Sequence, residues 1–442
     1  MTPGARLQAA IEILEQSFAA SFPADAIGDA YFRRRRYAGS GDRRAIQGRV
    51  FGILRRHARL EWHVGRVSAA PLSPRALALA DLIVGDGLDA EAATRLFGSS
   101  AHAPAPLTET ETALTRALQG RTLDDPAMPD SVRFEYPAWL EPSLRAAFGE
   151  RLAEEMSALN RQAPLDLRVN ASKRTRDAAL AALAVESVVA EPTPFSPWGV
   201  RVKGAVRIGG TRAFKQGLIE IQDQGSQIVA ALVGAGPGMT IVDFCAGAGG
   251  KTLALAAAMS RRGKAAGRLI ACDTSPERLR RMTARLARAG AENIDRIVLK
   301  DENDSALGKW VNAADRVLLD VPCSASGAWR RDPLGKWRFS PDQLGQMVAS
   351  QQRILAAAAC LVRPGGRLVY ATCSVLPEEN EMQVATFLAR DDEFKIVPIA
   401  RAWSETLGGV PPAGNQFLRL TPAAQGTDGF FAAVLERRPP RG

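Results

Sequence analysis

Cysteine and histidine are scarce in this chain, which has five cysteines and three histidines in 442 residues. The cysteines form no CxxC pair, so the sequence favours neither a zinc site nor a disulfide framework, and we expect no metal. A few unpaired cysteines are typical of a reducing compartment, which predicts a cytoplasmic protein.

Long apolar runs are also missing from the sequence. No stretch approaches the roughly 20 apolar residues that a membrane-spanning helix needs, so we expect no membrane partner. Glu12 and Glu15 interrupt the apolar positions near the start, which argues against a signal peptide. Aromatic residues make up only 6% of the chain, so an aromatic-rich surface for stacking bases is not evident. Nothing indicates an obligate oligomer, and we expect a monomer.

Positive charge is in excess. The chain has 57 Lys and Arg against 47 Asp and Glu, a formal net charge of +10. This excess favours a polyanionic partner, because each cation that meets a phosphate releases counterions. Charge alone leaves an ordinary solvated basic surface equally open.

Residues 1–125 have the apolar periodicity of helices and predict an all-α domain. Leu7, Ile11, Leu14 and Phe18 fall on one helical face, and His57 lies on another such stripe, where a packed core residue is the more favoured interpretation. Six arginines of this region are assigned to RNA binding because they are dense and flanked by aromatic residues: Arg33, Arg34, Arg35, Arg36, Arg43 and Arg44.

Residues 126–220 are predicted to contain the end of a linker, followed by a small α+β module that binds RNA. Four prolines within residues 103–131 indicate the linker. The module is predicted to contain the helix Trp139–Asn160, the strand Asp166–Val169, the helix Arg176–Val185 and strand fragments around Val200–Ile208.

Residues 221–442 alternate apolar strands with helices, which predicts a doubly wound parallel sheet covered on both faces. The predicted strands are Ile241–Phe244, Leu269–Cys272, Ile297–Leu299, Val317–Leu319, Leu368–Ala371 and Phe430–Val434. The predicted helices are Thr252–Met259, Pro276–Ala289 and Pro341–Leu361, the last of them stopped by a turn at Pro364-Gly365-Gly366.

A glycine-rich segment follows the first of these strands. It reads Asp243-Phe244-Cys245-Ala246-Gly247-Ala248-Gly249-Gly250-Lys251-Thr252. Ligands bind at the carboxyl ends of parallel strands, and glycine lets the backbone approach them, so this segment indicates a binding loop rather than an ordinary turn. A phosphate loop is excluded, because G-x-x-x-x-G-K-[ST] requires glycine where the chain has Cys245.

Acidic residues end the next two strands. Asp273 can accept both hydroxyls of a ribose, and Asp301 is expected at the adenine edge. Arg278, on the helix that follows, is assigned to the same site. Each acid alone could instead cap a helix or turn, but together with the loop they predict a nucleoside cofactor.

Two cysteines follow strand ends of the same sheet. Cys323 lies in Asp320-Val321-Pro322-Cys323-Ser324, and Cys373 in Tyr370-Ala371-Thr372-Cys373-Ser374. Parallel strands bring both to the edge that carries the cofactor loop, where a thiol is accessible and can ionise. Cys272 and Cys360 are expected to be small buried hydrophobes.

These two motifs resemble those of the Nop/Sun family of RNA cytosine-C5 methyltransferases. The segments that carry the resemblance are Asp320–Ser324 with Arg330 and Arg331, Tyr370–Ser374 with Glu378, Glu379 and Asn380, Gln222-Asp223 with Gln227, Asp243–Thr252, and Gly426–Phe431. Residues Tyr136–Arg168 are similar to the N-terminal extension of the family, and residues 1–125 resemble a NusB-like RNA-binding domain. This fusion resembles that of the bacterial branch of the family, which modifies small-subunit ribosomal RNA.

The resemblance implies a Rossmann-like, seven-stranded methyltransferase domain at 221–442, behind an α+β module and an all-α domain. It implies S-adenosyl-L-methionine as cofactor, with Asp320 and Lys251 at both the cofactor and the cytosine. Cys373 is the implied nucleophile toward carbon 6 of cytosine, and Cys323 the implied assistant in release. Arg330 and Arg331 are added to the predicted RNA contacts.

Three other functions remain open. A DNA cytosine methyltransferase would use Pro322-Cys323 but would leave Tyr370–Ser374 unexplained. A non-catalytic RNA-binding or ribosome-assembly factor should have lost a cysteine or a cofactor acid, and none is lost here. Transfer RNA, instead of ribosomal RNA, is the remaining alternative substrate.

Overall fold

The computed structural model describes residues 1–68, 72–98, 100–261, 264–291 and 293–439. The chain divides into two compact units. Unit 1 contains Met1–Arg161 and Trp329–Phe339, and unit 2 contains Gln162–Ala328 and Ser340–Gly442. Residues 440–442, the end of the third predicted domain, lie outside the described residues. The predicted boundaries at 125 and 220 stay predictions.

Unit 1 is helical, as predicted. Thr2 caps the first helix through a hydrogen bond from the Ala5 N–H (3.2 Å), and Leu7, Ile11 and Leu14 form its buried face. The helices are α1 (Pro3–Ala19), α2 (Ala24–Arg34), α3 (Ser40–Arg55), α4 (His57–Gly65), α5 (Pro74–Ala80), α6 (Ala90–Thr94), α7 (Glu109–Leu118), α8 (Asp130–Arg133), α9 (Glu141–Phe148) and α10 (Leu152–Leu159).

His57 is a packing residue of this unit. Its ring lies 5.4 Å from the ring centroids of Phe18 and of Trp337. Burial, and the nearby charge of Lys336, lower the pKa of His57 to about 4. The imidazole is therefore neutral at pH 7, as expected for a core histidine.

Two predictions for this part of the chain are wrong. The predicted helix Trp139–Asn160 breaks at Gly149, whose φ of 56° only glycine adopts easily. The predicted linker 103–131 contains α7, because Thr108 and Glu111 form a capping box and Leu118 is buried.

A small α+β module opens unit 2. Its four strands are antiparallel in the order β2-β3-β1-β4. The elements are β1 (Leu165–Val169), α11 (Arg176–Val185), β2 (Ala190–Pro192), β3 (Gly199–Val202), α12 (Arg212–Lys215) and β4 (Ile219–Ile221). The predicted strand around Val200–Ile208 ends at Val202, and β2 and β4 are too short for the period-2 pattern to show them.

A larger sheet with flanking helices follows. Its elements are α13 (Gln224–Leu232), β5 (Thr240–Asp243), α14 (Gly250–Ala258), β6 (Ser260–Arg261), β7 (Lys264–Ala265), β8 (Arg268–Asp273), α15 (Pro276–Ala289), β9 (Ile294–Val298), β10 (Ala314–Asp320), α16 (Gly335–Arg338, in unit 1), α17 (Pro341–Ala359), β11 (Val362–Thr372), α18 (Glu381–Leu388), β12 (Phe394–Val397), α19 (Ile399–Thr406), β13 (Leu418–Leu420), α20 (Pro422–Gln425) and β14 (Phe430–Arg437). None of the described helices is both long and apolar enough to cross a membrane.

The large sheet is mixed and has the order β12-β14-β11-β10-β5-β8-β9, with β13 beside β14. The five strands from β11 to β9 are parallel, and β14 runs antiparallel to β11. All six predicted strands are present. Alternate residues such as Ile241 and Val242 pack into cores on opposite faces, so both faces are covered.

The predicted turn at Pro364-Gly365-Gly366 is instead an irregularity within β11. Ala314 pairs with Val362 and Arg316 pairs with Arg367, so four residues of β11 stand opposite one residue of β10. The extra residues bulge out and the strand continues to Thr372.

Candidate active site

The glycine-rich loop connects β5 to α14 at the carboxyl edge of the sheet. Gly247 and Gly249 have positive φ values of 55° and 84°. A Cβ on Gly249 would lie 2.5 Å from Cγ of Met282, so a larger residue would collide with α15. The Ala246 N–H donates to the carbonyl of Cys272 (2.8 Å), which ties the loop to the end of β8.

Asp273 ends β8 beside this loop. Its Oδ2 accepts the N–H of Gly247 and its Oδ1 the N–H of Ser275, both at 2.8 Å. These bonds orient the carboxylate and leave one lone pair on each oxygen for a ligand.

Asp243, at the end of β5, is a functional candidate that the sequence reasoning did not assign. Its Oδ2 accepts the hydroxyl of Thr252 (2.6 Å), and among the described residues its buried Oδ1 has no hydrogen-bond partner. Burial, assisted by the charge of Asp320, raises the pKa of Asp243 to about 7. An orphaned buried acceptor indicates that a ligand donor completes its bonds.

A cavity of about 460 Å³ opens over these strand ends, a volume in the range of small-molecule sites. The predicted cofactor residues that line it are Cys245, Ala246, Gly247, Ala248, Gly250, Lys251, Asp273, Arg278 and Asp320. Other lining residues are Ser226, Asp243, Leu299, Glu302, Val321 and Ile354. Gly249 lies behind the loop, and Asp301 is exposed and binds the N–H of Asn303 (2.8 Å), whereas its neighbour Glu302 faces the cavity.

Lys251 and Asp320 form an ion pair within this cavity. Lys251 Nζ lies 2.6 Å from Asp320 Oδ2, with 10% and 32% of the two side chains exposed. The same ammonium lies 5.5 Å from the ring centroid of Phe430, a cation–π contact. The sequence reasoning placed both residues in the site.

The two cysteines of the predicted mechanism meet beside this cavity. Cys323 Sγ lies 3.4 Å from Cys373 Sγ, and both residues are partly exposed. Parallel pairing of β10 with β11 brings them together, and their loops are joined by a hydrogen bond from Gly327 N–H to the Cys373 carbonyl (2.9 Å). Cys272 is buried, as expected, but Cys360 is exposed at the end of α17.

The hydrogen bond to Cys373 is the largest cause that raises the pKa of Cys323. Burial and the charges of Cys373 and Glu379 act in the same direction. Two sulfurs this close titrate as a pair, and one negative charge disfavours a second.

The predicted RNA contacts lie in unit 1 and differ in exposure. Arg33, Arg34, Arg36, Arg44 and Arg331 are exposed. Arg35 and Arg43 are half-buried: Arg35 pairs with Glu12 (3.0 Å) and Arg43 donates to the Ala38 carbonyl (2.8 Å).

Arg330 differs from its neighbour in exposure. Only 4% of it is exposed in the folded chain, and its predicted RNA contact stays a prediction. Its neighbour Arg331 remains accessible. Sequence adjacency does not indicate which of two arginines faces solvent when the segment is not a regular element.

Comparison with known proteins identifies the architecture. A model of the ferredoxin-like domain of the RsmF/B-like methyltransferases matches residues 136–209, and the 16S rRNA methyltransferase RsmB/F model matches residues 231–436. The ribosomal RNA small subunit methyltransferase B of Erwinia tasmaniensis is 32% identical over 421 residues, 90% of this chain and 92% of that protein.

Solved structures agree with the fold. The crystal structure of PH0851 matches with a TM-score of 0.79 at 24% identity and covers 99% of both chains. NSun6 from Pyrococcus horikoshii, solved with SFG, an analogue of S-adenosylmethionine, matches with a TM-score of 0.60 at 22% identity. That match covers 69% of this chain and 99% of that one.

The mixed seven-strand order and the cavity at its strand ends define a Rossmann-like methyltransferase, and the cofactor is S-adenosyl-L-methionine. The chain belongs to the 16S rRNA methyltransferase RsmB/F family, and it is an rRNA cytosine methyltransferase of that family. The predicted family, fold class, enzyme class and cofactor are confirmed.

Proposed function

We propose that this chain methylates carbon 5 of a cytosine in 16S rRNA through a covalent bond between Cys373 and the base. The observation that carries the proposal is the 3.4 Å separation of the Cys323 and Cys373 sulfurs beside the cofactor cavity. At this separation, one sulfur can attack the cytosine ring while the other sulfur stays close to the same ring.

The residues around the cavity fit the cofactor. Asp273 would accept the ribose hydroxyls, and the orphaned Oδ1 of Asp243 would accept a donor of the bound ligand. Leu299 and Ile354 supply apolar surface for a purine ring, and Arg278 supplies a cation for a carboxylate. The predicted role of Asp301 at the adenine edge stays a prediction, with Glu302 as the alternative on the cavity wall.

The chemistry begins with activation of the base. Carbon 5 of cytosine is a poor nucleophile, so the thiolate of Cys373 first adds to carbon 6. A sulfur–carbon bond forms, and the electron pair of the ring double bond moves toward carbon 5. Asp320 would hydrogen-bond the cytosine edge, and the ammonium of Lys251, which pairs with Asp320, would steady this negative charge. Carbon 5 then takes the electrophilic methyl group that bound S-adenosylmethionine would supply, and the sulfonium sulfur would keep the electron pair of the broken sulfur–methyl bond.

Release of the methylated base breaks the sulfur–carbon bond that formed in the first step. The proton of carbon 5 passes to Cys323, the ring double bond re-forms, and the sulfur–carbon bond breaks with its electron pair returning to Cys373. Once Cys373 is a neutral thioether, the largest cause of the raised pKa of Cys323 is gone. Cys323 can then lose its own proton to water and, as a thiolate, accept the proton of carbon 5.

RNA contact is proposed for the exposed arginines of unit 1. Arg33, Arg34 and Arg36 follow or end α2, and Arg44 lies on α3. Such a cluster attracts phosphates without reading sequence. The target cytosine must be single-stranded or flipped out of its stack to reach the cavity. We further propose that the chain acts as a monomer in the cytoplasm, where the two adjacent thiols stay reduced.

Bisulfite sequencing of 16S rRNA from a deletion strain tests this function. We expect one 5-methylcytosine to disappear and to return when the wild-type chain is supplied. Unchanged 16S rRNA with a lost site in transfer RNA would replace the proposed substrate. Purified chain that binds the cofactor but never methylates RNA would favour the non-catalytic assembly factor.

A further inference from the structure

A buried carboxylate connects the two cysteine loops. Glu379 ends the short turn Pro377–Glu379 that follows Cys373, its side chain is fully buried, and the proposed mechanism does not use it. The hydroxyl of Tyr370 on β11 donates to the Glu379 carbonyl (2.7 Å) and fixes the backbone of Glu379 on the Cys373 side of the site. A buried charge persists only where hydrogen bonds compensate its lost hydration, so its partners identify its role.

The side chain of Glu379 reaches the other loop. Its Oε1 accepts the N–H of Ser324 (2.8 Å), and its Oε2 accepts the hydroxyl of the same residue. Ser324 directly follows Cys323. Both carboxylate oxygens are therefore bonded to the residue next to the second sulfur.

Gln351 of α17 completes the arrangement from the other side. Its Nε2 donates to Glu379 Oε1 (3.0 Å) and to the carbonyl of Pro322 (2.9 Å), which directly precedes Cys323. Gln351 is fully buried as well. The peptide on each side of Cys323 is thus bonded to one pair of buried side chains.

We propose that Glu379, with Gln351 as its partner, is a positioning residue that holds Cys323 for release of the methylated base. This inference rests on the proposed role of Cys323. A loop just beyond a strand end has few bonds of its own, and a thiol displaced by about 1 Å can lose about 100-fold in rate. The negative charge of Glu379 also contributes to the raised pKa of Cys323, after the Cys373 hydrogen bond and burial.

The test separates methyl transfer from release. For Glu379→Ala, we expect single-turnover methyl transfer to be retained, while steady-state turnover falls about 10- to 100-fold as the loop loses its position. Denaturation-resistant protein–RNA adduct should accumulate on a gel. Glu379→Gln keeps the shape and most hydrogen bonds, so it should restore most of the turnover. Because it removes a negative charge, it should also lower the pKa of Cys323 and shift the pH profile of release to lower pH.

Glu381→Gln is the matched control, since it changes the same charge two residues away at a side chain that pairs with Arg419. It should turn over like the wild type. The inference fails if Glu379→Ala releases product normally, or if it loses methyl transfer and adduct together while still binding cofactor. If Glu379→Ala does not fold, Glu379→Gln and Gln351→Ala provide the same readouts.

Cys323→Ala, assayed in parallel, distinguishes a failure of the proposed role of Cys323 from a failure of the positioning role of Glu379. If it forms no adduct, the proposed function of Cys323 is wrong. If it accumulates adduct and the Glu379 and Gln351 variants do not, only the positioning role is wrong.

Discussion

The two halves of the strand-end edge are built in different ways. In the cofactor half, at β5 and β8, one loop and two strand-end carboxylates make the contacts, as between Gly247 and Asp273 or Thr252 and Asp243. In the cysteine half, at β10 and β11, side chains from distant segments meet, as Glu379 meets Ser324 and Gln351. The first half is a local motif, and the second is a tertiary network.

This difference predicts which kinetic constant a substitution in each half should change. A loop that presents backbone to a ligand governs binding, so substitutions in the cofactor half should raise KM for the cofactor. A network that holds sulfur atoms governs the chemical steps, so substitutions in the cysteine half should lower kcat. The following predictions test that division.

Cys373→Ser should have the largest effect. We expect complete loss of methylation and of covalent RNA capture, because an alcohol at this position is a far weaker nucleophile than a thiolate. Incorporation of labelled methyl groups and gel-shifted adduct are the two measurements. Cys360→Ser, at an exposed position on α17, is the control and should remain active.

Cys323→Ala should come next. It should still attack the base and transfer one methyl group, but turnover should stop and a denaturation-resistant adduct should remain. Mass spectrometry of the digested adduct should find the nucleotide on Cys373. Reversed phenotypes of the two cysteine variants would exchange their roles.

Asp273→Ala should raise the KM for S-adenosylmethionine by about 100-fold or more, the loss of two charge-assisted hydrogen bonds at roughly 1.5 kcal/mol or more each, with a smaller effect on kcat. Initial rates at saturating RNA measure both constants. Asp301→Ala and Glu302→Ala form an instructive pair: the carboxylate that meets the adenine should give the larger increase in KM. A fall in kcat alone for Asp273→Ala would contradict the division between the two halves.

The smallest effect is expected for the exposed arginines of unit 1, which belong to neither half. Replacing Arg33 and Arg34 by Gln should weaken RNA binding a few-fold and reduce the slope of log K against log salt by about 0.7 to 0.9 per lost phosphate contact. Binding titrations over a salt series measure this slope. The same change at the exposed Arg95 and Arg116 should leave it unaltered, and an equal effect there would mean that only net charge matters.

Elements with a strong local signal were predictable. The six predicted strands were found because short apolar runs bounded by loop residues stand out, and the loop at Gly247 because its glycines follow such a run. Strands β12 and β13 were missed, since an exposed charged residue, Lys395 or Arg419, interrupts the apolar run of each. The α7 helix was missed because nearby prolines outweighed its capping box.

The residues of the site also differ in whether a local sequence signal was enough to predict them. Asp273, Lys251 and the loop could be placed from sequence, since a strand end fixes where such residues lie. Asp243 was visible but had no assigned role, because its orphaned oxygen appears only once its surroundings are known. The burial of Arg330 was not visible in the sequence, because burial depends on packing that its sequence neighbours do not indicate, and its RNA contact stays a prediction.

The sequence by itself determined the cofactor loop, because the loop depends on residue type and short spacing. Its resemblance to a known family indicated the reaction class and predicted that Cys323 and Cys373 are the reacting sulfurs. Only the tertiary structure decided that the sulfurs lie 3.4 Å apart and that Glu379 and Gln351 enclose Cys323. It also decided that Trp329–Phe339, shortly after Cys323, belongs to the helical unit. These relations join residues far apart in the chain, and strand pairing and packing, which a local pattern does not encode, bring them together.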